Sequence, residues 1–226
     1  MNISVIIPTL NESSRVAQTL IRVRLAMPEA EIIVADGGSE DDTVAIARQL
    51  GVHTVQAPRG RGRQLAAGAS LARGQLLLFL HADTILPTNA ARIVTDAFAD
   101  EHTWVGTFRL QFDDDSRFLR FCSWLTRFDT VFTRFGDQAI VVRKDFYQQL
   151  GGFPHWPLFE DVELLRRARR LTRVVSFPAA VTTSARRFQR GGRIRQQVRN
   201  AWLLLRFLAG VPPQRLAAEY PAEPSA

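Results

Sequence analysis

The chain reads as an α/β fold built on a doubly wound, mostly parallel sheet, and three observations predict it. Largely apolar blocks at Ile3–Ile7, Glu31–Ala35 and Leu76–Leu80 are too short for typical helices, which fits strands buried on both faces of a sheet. Stretches with helical spacing separate them, so that each crossover returns the chain parallel to the preceding strand. The second and third blocks end on polar residues, Asp36 and His81-Ala82-Asp83, and open α/β sheets bind ligands just beyond such strand ends.

Taken in order, Ile3–Ile7 is stopped by Pro8. Asn11 or Ser13 then offers an N-cap for a helix to about Leu25, on which Val16, Ala17, Leu20, Ile21 and Val23 recur at helical spacing. Glu31–Ala35 ends in Asp36-Gly37-Gly38-Ser39, and Asp41-Asp42 opens a helix that closes at Gly51. Val52–Ala57 is a third strand, followed by Arg59-Gly-Arg-Gly-Arg63, a helix from Gln64 to Ala72, the central strand Leu76–Leu80 and a helix from Thr88 to Phe98. The second half reads as a strand over Trp104–Phe112, an aromatic-rich helical stretch over Ser116–Arg134, a strand over Gln138–Val142 and a short helix over Lys144–Leu150. A turn at Gly151-Gly152-Phe153-Pro154 precedes a helix led by Glu160-Asp161 and running through Arg170. Two short strands, Val174–Phe177 and Ala180–Thr183, and a last helix from about Arg193 to Leu208 complete the pattern; the tail from Pro212 is expected to fray.

With 226 residues and 46% hydrophobic composition the chain can bury a sizeable core. One cysteine, Cys122, excludes an internal disulfide framework and fits a reducing compartment. The N-terminus lacks a basic n-region, and no apolar run reaches the ~18 residues of a membrane span, so a cytoplasmic location is expected. The net charge of +7 concentrates in a dense arginine stretch over 166–199, which suits nucleic acid, anionic lipid or a phosphorylated small molecule. Lys144 is the only lysine, so part of that excess is compositional bias, and no recognised nucleic-acid motif is present.

Asp83 is the first residue to suspect of chemistry. A carboxylate beyond a buried strand can hold a hard divalent cation against a pyrophosphate, since such ions take one or two protein carboxylates plus phosphate oxygens and water. Turn chemistry ahead of the following helix is the other reading. Arg59, Arg61 and Arg63 among glycines before a helix make an anion-binding start with guanidinium forks. They form neither a Walker loop, lacking Gly-Lys-Ser/Thr, nor a dinucleotide fingerprint, lacking the third glycine. Asp113-Asp114-Asp115, where a strand gives way to a helix, reads as a solvated acidic turn.

Four motifs occur in order: Ile6-Ile-Pro-Thr-Leu-Asn-Glu12, Ala35-Asp-Gly-Gly-Ser-Glu-Asp-Asp-Thr43, Leu80-His-Ala-Asp83, and Gly151-Gly-Phe-Pro154 followed by Glu160-Asp161. Each is weak alone; together, over about residues 1–190, they resemble family 2 glycosyltransferases. The resemblance implies the GT-A fold, a Rossmann-like central, mostly parallel sheet flanked by helices. It also implies a nucleotide-diphosphate sugar donor with UDP the commonest, Mg²⁺ or Mn²⁺, and inversion at the anomeric carbon. A closer similarity is to a short soluble bacterial subgroup that carries Gly-Arg-Gly-Arg-Gln, Phe-Leu-His-Ala-Asp and Gly-Asp-Gln and is sometimes associated with arsenosugar biosynthesis. The domain expected is a single unit over 1–211, with a nucleotide-binding half about 1–100, an acceptor half about 101–190, a C-terminal helix about 193–208, and a tail over 212–226.

For the nucleotide, Asp36 is placed to accept from a base N–H and Gly37 lets the backbone approach; a helix-capping turn is the plainer reading. Pro8, Thr9, Asn11 and Glu12 stand where a uracil or ribose can be gripped, and His81, Ala82 and Asp83 line the same edge. Of the three arginines Arg63 matches the family position. His81 replaces the family's usual first aspartate of Asp-x-Asp; Asp83 keeps the carboxylate that reaches the metal, and the imidazole reads as a support rather than a ligand. Asp161 matches the family's general base, with Glu160 orienting it or reaching the acceptor, although Glu-Asp at a helix start also serves the macrodipole. Asp137 and Trp156 are expected to line the acceptor pocket, and Arg186 and Arg187 to contact the diphosphate. On the last helix Ile194, Val198, Ala201, Trp202, Leu205 and Leu208 form an apolar stripe among arginines, which can either pack on the domain or lie on the inner face of an anionic membrane. Two alternatives stay open: a nucleotidyltransferase on a related sheet, and a basic membrane- or nucleic-acid-binding protein without catalysis.

Overall fold

The computed structural model describes residues 1–185 and 192–219. Their elements are β1 (Ile3–Thr9), α1 (Ser13–Ala26), β2 (Glu31–Asp36), α2 (Thr43–Gln49), β3 (His53–Gln56), α3 (Arg61–Leu71), β4 (Leu76–Phe79), β5 (Thr84–Ile85) and α4 (Ala90–Phe98). They continue with β6 (Val105–Phe112), α5 (Arg117–Leu125), a 3-10 turn (Gly136–Gln138), β7 (Ile140–Arg143), α6 (Lys144–Gln149), α7 (Glu160–Ala168), β8 (Val175–Thr183), α8 (Arg193–Leu208) and α9 (Pro213–Glu219). All eight strands join one sheet in the order β3-β2-β1-β4-β7-β6-β8-β5. β1, β2, β3, β4, β6 and β8 run one way, and β7 and β5 run the other.

The sheet separates two apolar layers. Val5 and Ile7 of β1 pack with Val16, Leu20 and Val23 of α1 and Val94 and Phe98 of α4, whereas Ile6 packs with Leu65 and Ala69 of α3 and Leu164 and Leu165 of α7. Because both faces are covered, alternation is lost and the strands read as unbroken apolar runs. Leu76, Leu77, Leu78 and Leu80 are all fully buried, and truncating such a leucine to alanine costs about 2–5 kcal/mol. α3 crosses β1 closely at Gly68, where an added Cβ would lie 2.4 Å from Ile6 Cγ2.

This arrangement brings the carboxyl ends of β1, β2, β4, β6 and β8 to one edge, and the 3-10 turn that leads into β7 starts there too. Several elements differ in detail from the sequence expectation. α3 begins at Arg61, three residues before the expected Gln64. Val174–Phe177 and Ala180–Thr183 belong to one strand, β8, whose pairing with β6 slips between Thr107↔Ser176 and Arg109↔Ala180 around Pro178, which has no N–H to give the ladder. The aromatic helix stops at Leu125 because the Thr126 hydroxyl accepts the Leu110 N–H of β6 at 3.0 Å and donates to Ser123 O at 2.7 Å. Neither expected residue caps α1; Asn11, at φ 54°, accepts the Glu40 N–H at 2.9 Å and Glu12 occupies the N-cap. The tail expected to fray instead forms α9, opened by Pro213, with Leu216 fully buried and Glu219 paired to Arg206. Among the described residues no helix is long and apolar enough to cross a membrane.

Candidate active site

At the ends of β1 and β2, Asp36 is 3% exposed and its carboxylate is saturated by its own chain. Oδ1 accepts the Thr9 hydroxyl at 3.0 Å and the Ser39 hydroxyl at 2.5 Å; Oδ2 accepts the Gly38 and Ser39 N–H groups at 2.9 and 2.7 Å. Four bonds fill the lone-pair positions of a carboxylate, so Asp36 braces this turn, and a base N–H would have to displace one of these donors. Gln64, which the sequence reading did not single out, donates to Thr9 O at 2.7 Å and Ala35 O at 3.1 Å. A Cβ on Gly37 would touch the Gln64 amide at 3.0 Å, so glycine is what lets that amide lie across both strand ends. The loops beyond are laced together: Asn11 N–H donates to Ser39 Oγ and Glu12 N–H to Thr43 Oγ1 at 2.9 and 2.8 Å. Partial burial would raise the Asp41 carboxyl, but hydrogen bonds from Thr43 and Ser13 outweigh it and hold the group down at about 2. Pro8 is half-buried near the end of β1.

Beyond β4 the chain turns tightly, with the Thr84 N–H donating to His81 O at 3.1 Å. Asp83 therefore sits at the turn's tip, half-buried, while Ala82 is buried and its carbonyl accepts the Thr19 hydroxyl at 2.5 Å. Thr84 then enters β5, which pairs with β8 at Thr84↔Thr183. The first described stretch reaches Ala185, whose N–H donates to Asp113 at 2.6 Å; Arg186 and Arg187 lie outside the described residues. Asp113 thus ties the acidic turn to β8, and among the described residues no three His, Cys, Asp or Glu side chains are grouped for a metal ion.

The third part forms where α7 begins. Asp161 is 8% exposed; Oδ2 accepts the Gly136 N–H and Oδ1 its neighbour Val162 N–H at 2.7 Å. A Cβ on Gly136 would lie 2.9 Å from Asp161 Oδ2 and 3.2 Å from His81 Nε2, so this glycine marks where the β4 exit and the α7 start converge. Glu160 is 1% exposed and pairs with Arg61 Nε at 3.3 Å, and Arg61 Nη1 lies 3.4 Å from His81 Nε2. Burial pushes the Glu160 carboxyl up; the Arg61 charge opposes that and the Asp161 charge reinforces it. Glu160 thus lies buried behind Arg61, directly before Asp161 in the first turn of α7.

Arg61 rather than Arg63 therefore faces the carboxylates, and Arg63 is exposed. The earlier start of α3 explains it: Arg61, Gln64, Leu65 and Gly68 share the inward face at helical spacing, and Arg63 falls on the other side. Gly62 packs the first turn of α3 onto the loop before α7, where an added Cβ would lie 2.3 Å from Pro154 O and 3.2 Å from Glu160 Cβ. Gly62→Ala is expected to displace that loop and lower activity more than stability; equal turnover in the variant, measured alongside its melting temperature, would show the contact to be slack. Trp156 is half-buried, its ring edge-on to Phe207 of α8 at 6.0 Å, and Phe159 stacks on the same Phe207 at 5.0 Å. Asp137 is half-buried in the 3-10 turn beside Gly136.

A sheet of this order, whose parallel half continues into the reversed strand β7, is that of the GT-A fold of glycosyltransferases. The family model for glycosyl transferase family 2 matches residues 4–154, and the chain belongs to that family. No curated protein matches the chain. Among solved structures, S. aureus TarS 1–349 in complex with UDP-GlcNAc superposes with a TM-score of 0.66 at 16% identity, covering 81% of this chain and 58% of that one. The mannosyltransferase PcManGT from Pyrobaculum calidifontis, in complex with GDP-Man and Mn²⁺, gives 0.62 at 18% identity, covering 96% and 68%. Glucosyl-3-phosphoglycerate synthase from Mycobacterium tuberculosis, with Mn²⁺, UDP and glucosyl-3-phosphoglycerate, gives 0.60 at 19% identity, covering 93% and 81%. The chain thus spans under two thirds of the length of the TarS fragment.

Proposed function

We propose that the protein transfers a sugar from a nucleotide-diphosphate donor to an acceptor hydroxyl with inversion. One observation carries the reading: the Thr9–Asp36 turn, the Asp83 turn and Asp161 come together at a single sheet edge. The acceptor oxygen attacks the anomeric carbon opposite the leaving group, the carbon–oxygen bond to the diphosphate breaks with its electron pair, and Asp161 takes the hydroxyl proton. Both Asp161 oxygens keep a lone pair beyond their backbone bonds, so the carboxylate is held in place and still able to accept. Glu160, through Arg61, positions the start of α7. The nucleotide lies along Pro8, Thr9, Asn11, Glu12 and the Asp36–Gly37 turn, with His81, Ala82 and Asp83 near the phosphates and Arg186 and Arg187 as further diphosphate contacts. Uridine is favoured because TarS and the glucosyl-3-phosphoglycerate synthase hold uridine nucleotides, although PcManGT holds GDP-Man.

The residues fit a divalent cation. Asp83 offers one hard carboxylate at the tip of a turn, and an ion such as Mg²⁺ or Mn²⁺ draws its other ligands from phosphate oxygens and water. Such an ion neutralises charge on the departing diphosphate. The test is a panel of UDP- and GDP-sugars with and without Mn²⁺, scored for protection against thermal unfolding and for release of free nucleoside diphosphate. Metal-dependent protection by one donor class is expected; release of pyrophosphate instead would replace the reading by nucleotidyl transfer.

A cytoplasmic enzyme resting on the inner face of the membrane is favoured by the outward faces of two helices. On α8, Val198, Trp202, Leu205 and Leu208 are 62%, 59%, 49% and 39% exposed, whereas Leu203 and Leu204 on the other side are buried. The apolar stripe therefore points away from the domain. α5 and the segment after it expose Phe121, Trp124, Phe128 and Phe132 between Arg117, Arg120 and Arg127. Arginine-flanked aromatic faces suit an anionic bilayer interface. The nucleic-acid alternative is weakened, because Arg166 and Arg167 both pair with Glu163 at 2.8 Å and Arg169 with Asp129 at 2.6 Å. Co-sedimentation with anionic vesicles at low salt is expected and should drop in Trp202→Ser; an intact protein that stays in the supernatant ends the membrane reading.

A further inference from the structure

Away from the donor residues, the fold buries a group of arginines with few acceptors. The Arg134 side chain is 0% exposed. Its Nη1 donates to Thr107 Oγ1 and, at 3.4 Å, to Gln138 Oε1, but Nε and Nη2 have no hydrogen-bond partner among the described residues. Those two nitrogens form the parallel edge of the guanidinium that grips carboxylate or phosphate in a fork. Arg109 Nε and Ser176 Oγ are likewise buried without a hydrogen-bond partner among the described residues. Strand alternation puts Thr107 and Arg109 on one face of β6, and Ser176 pairs in register with Thr107, so all three point to the side from which Arg134 approaches.

Asp129 is the carboxylate at hand, 3.8 Å from Arg134 Nε and already held by Arg169 at 2.6 Å. Burial holds the Arg134 guanidinium below its usual range; Asp129 opposes this, while Arg169 and Arg109 add to it. Two guanidiniums thus share Asp129 while the Arg109 charge also acts on Arg134, and desolvated charge is costly unless matched. The group also stands next to the chemistry, since Arg134 precedes by two residues Gly136, whose N–H holds Asp161.

We propose that Arg134 and Arg109, with Ser176, form an anion subsite that takes a phosphate monoester on the acceptor, leaving the acceptor hydroxyl at Asp161. This rests on the transferase reading. A phosphate dianion matches the excess positive charge, and its oxygens suit the open fork. The competing account is a brace that merely fixes the segment between α5 and β7.

Thermal unfolding of the full chain decides between them, with inorganic phosphate set against sodium chloride of equal ionic strength, each with and without UDP and Mn²⁺. Phosphate is expected to raise Tm saturably in both series. Arg109→Gln, on a half-buried strand residue, removes the phosphate shift and keeps the UDP shift. Arg134→Lys, which retains charge and loses the fork, weakens phosphate at least about tenfold. A phosphate shift unchanged in both variants, or absent from the wild type while UDP still protects, overturns the subsite. Loss of the UDP shift alone counts against the donor reading and leaves the anion subsite standing.

Discussion

Asp83→Asn is expected to lower kcat/KM by about 10³-fold or more and to abolish the metal-dependent part of nucleotide binding, with little change in Tm. Asparagine keeps turn propensity and a carbonyl oxygen for the Thr84 hydroxyl, which lies 3.4 Å from Asp83 Oδ1, so the fold tolerates it. What it removes is the negative charge that would anchor a cation against the diphosphate. Roughly 4 kcal/mol of lost charge stabilisation corresponds to about three powers of ten in rate. The measurement is UDP-induced protection with and without Mn²⁺ beside steady-state turnover; near-normal turnover would sink the metal assignment.

Asp161→Asn should instead keep donor binding and lower kcat by about 10²–10⁴-fold, the usual loss with a general base. Its structural cost is larger than that at Asp83. Both Asp161 oxygens accept backbone N–H groups, from Gly136 and Val162, and the new amide must turn its NH₂ toward one of them. Setting a donor against a buried donor costs about 1–3 kcal/mol, so a modest fall in Tm should accompany the kinetic loss. If donor affinity collapsed while kcat held, Asp161 would be a binding residue.

The sequence by itself determined the strand blocks, their order and the polar residues at their ends. Two-sided burial leaves runs such as Leu76–Leu80 that admit few other readings, and motif order carried the family. It also placed Asp36 and Asp83 at strand ends and Asp161 at a helix start, as the structure has them. Only the tertiary structure decided which neighbours those groups meet. Arg61 rather than Arg63 meets the buried Glu160 because the two arginines fall on different faces of α3. Gln64 gained its role from two carbonyls that lie 55 and 29 residues away in the chain, and Asp36 proved to be saturated by its own turn together with the Thr9 hydroxyl. The apolar stripe of α8 was visible as a pattern, but periodicity states that a helix has two faces without saying which one the protein covers. Arg134 left no signal in the sequence at all, since a buried arginine is recognised only by the strand, the turn and the carboxylate that close around it.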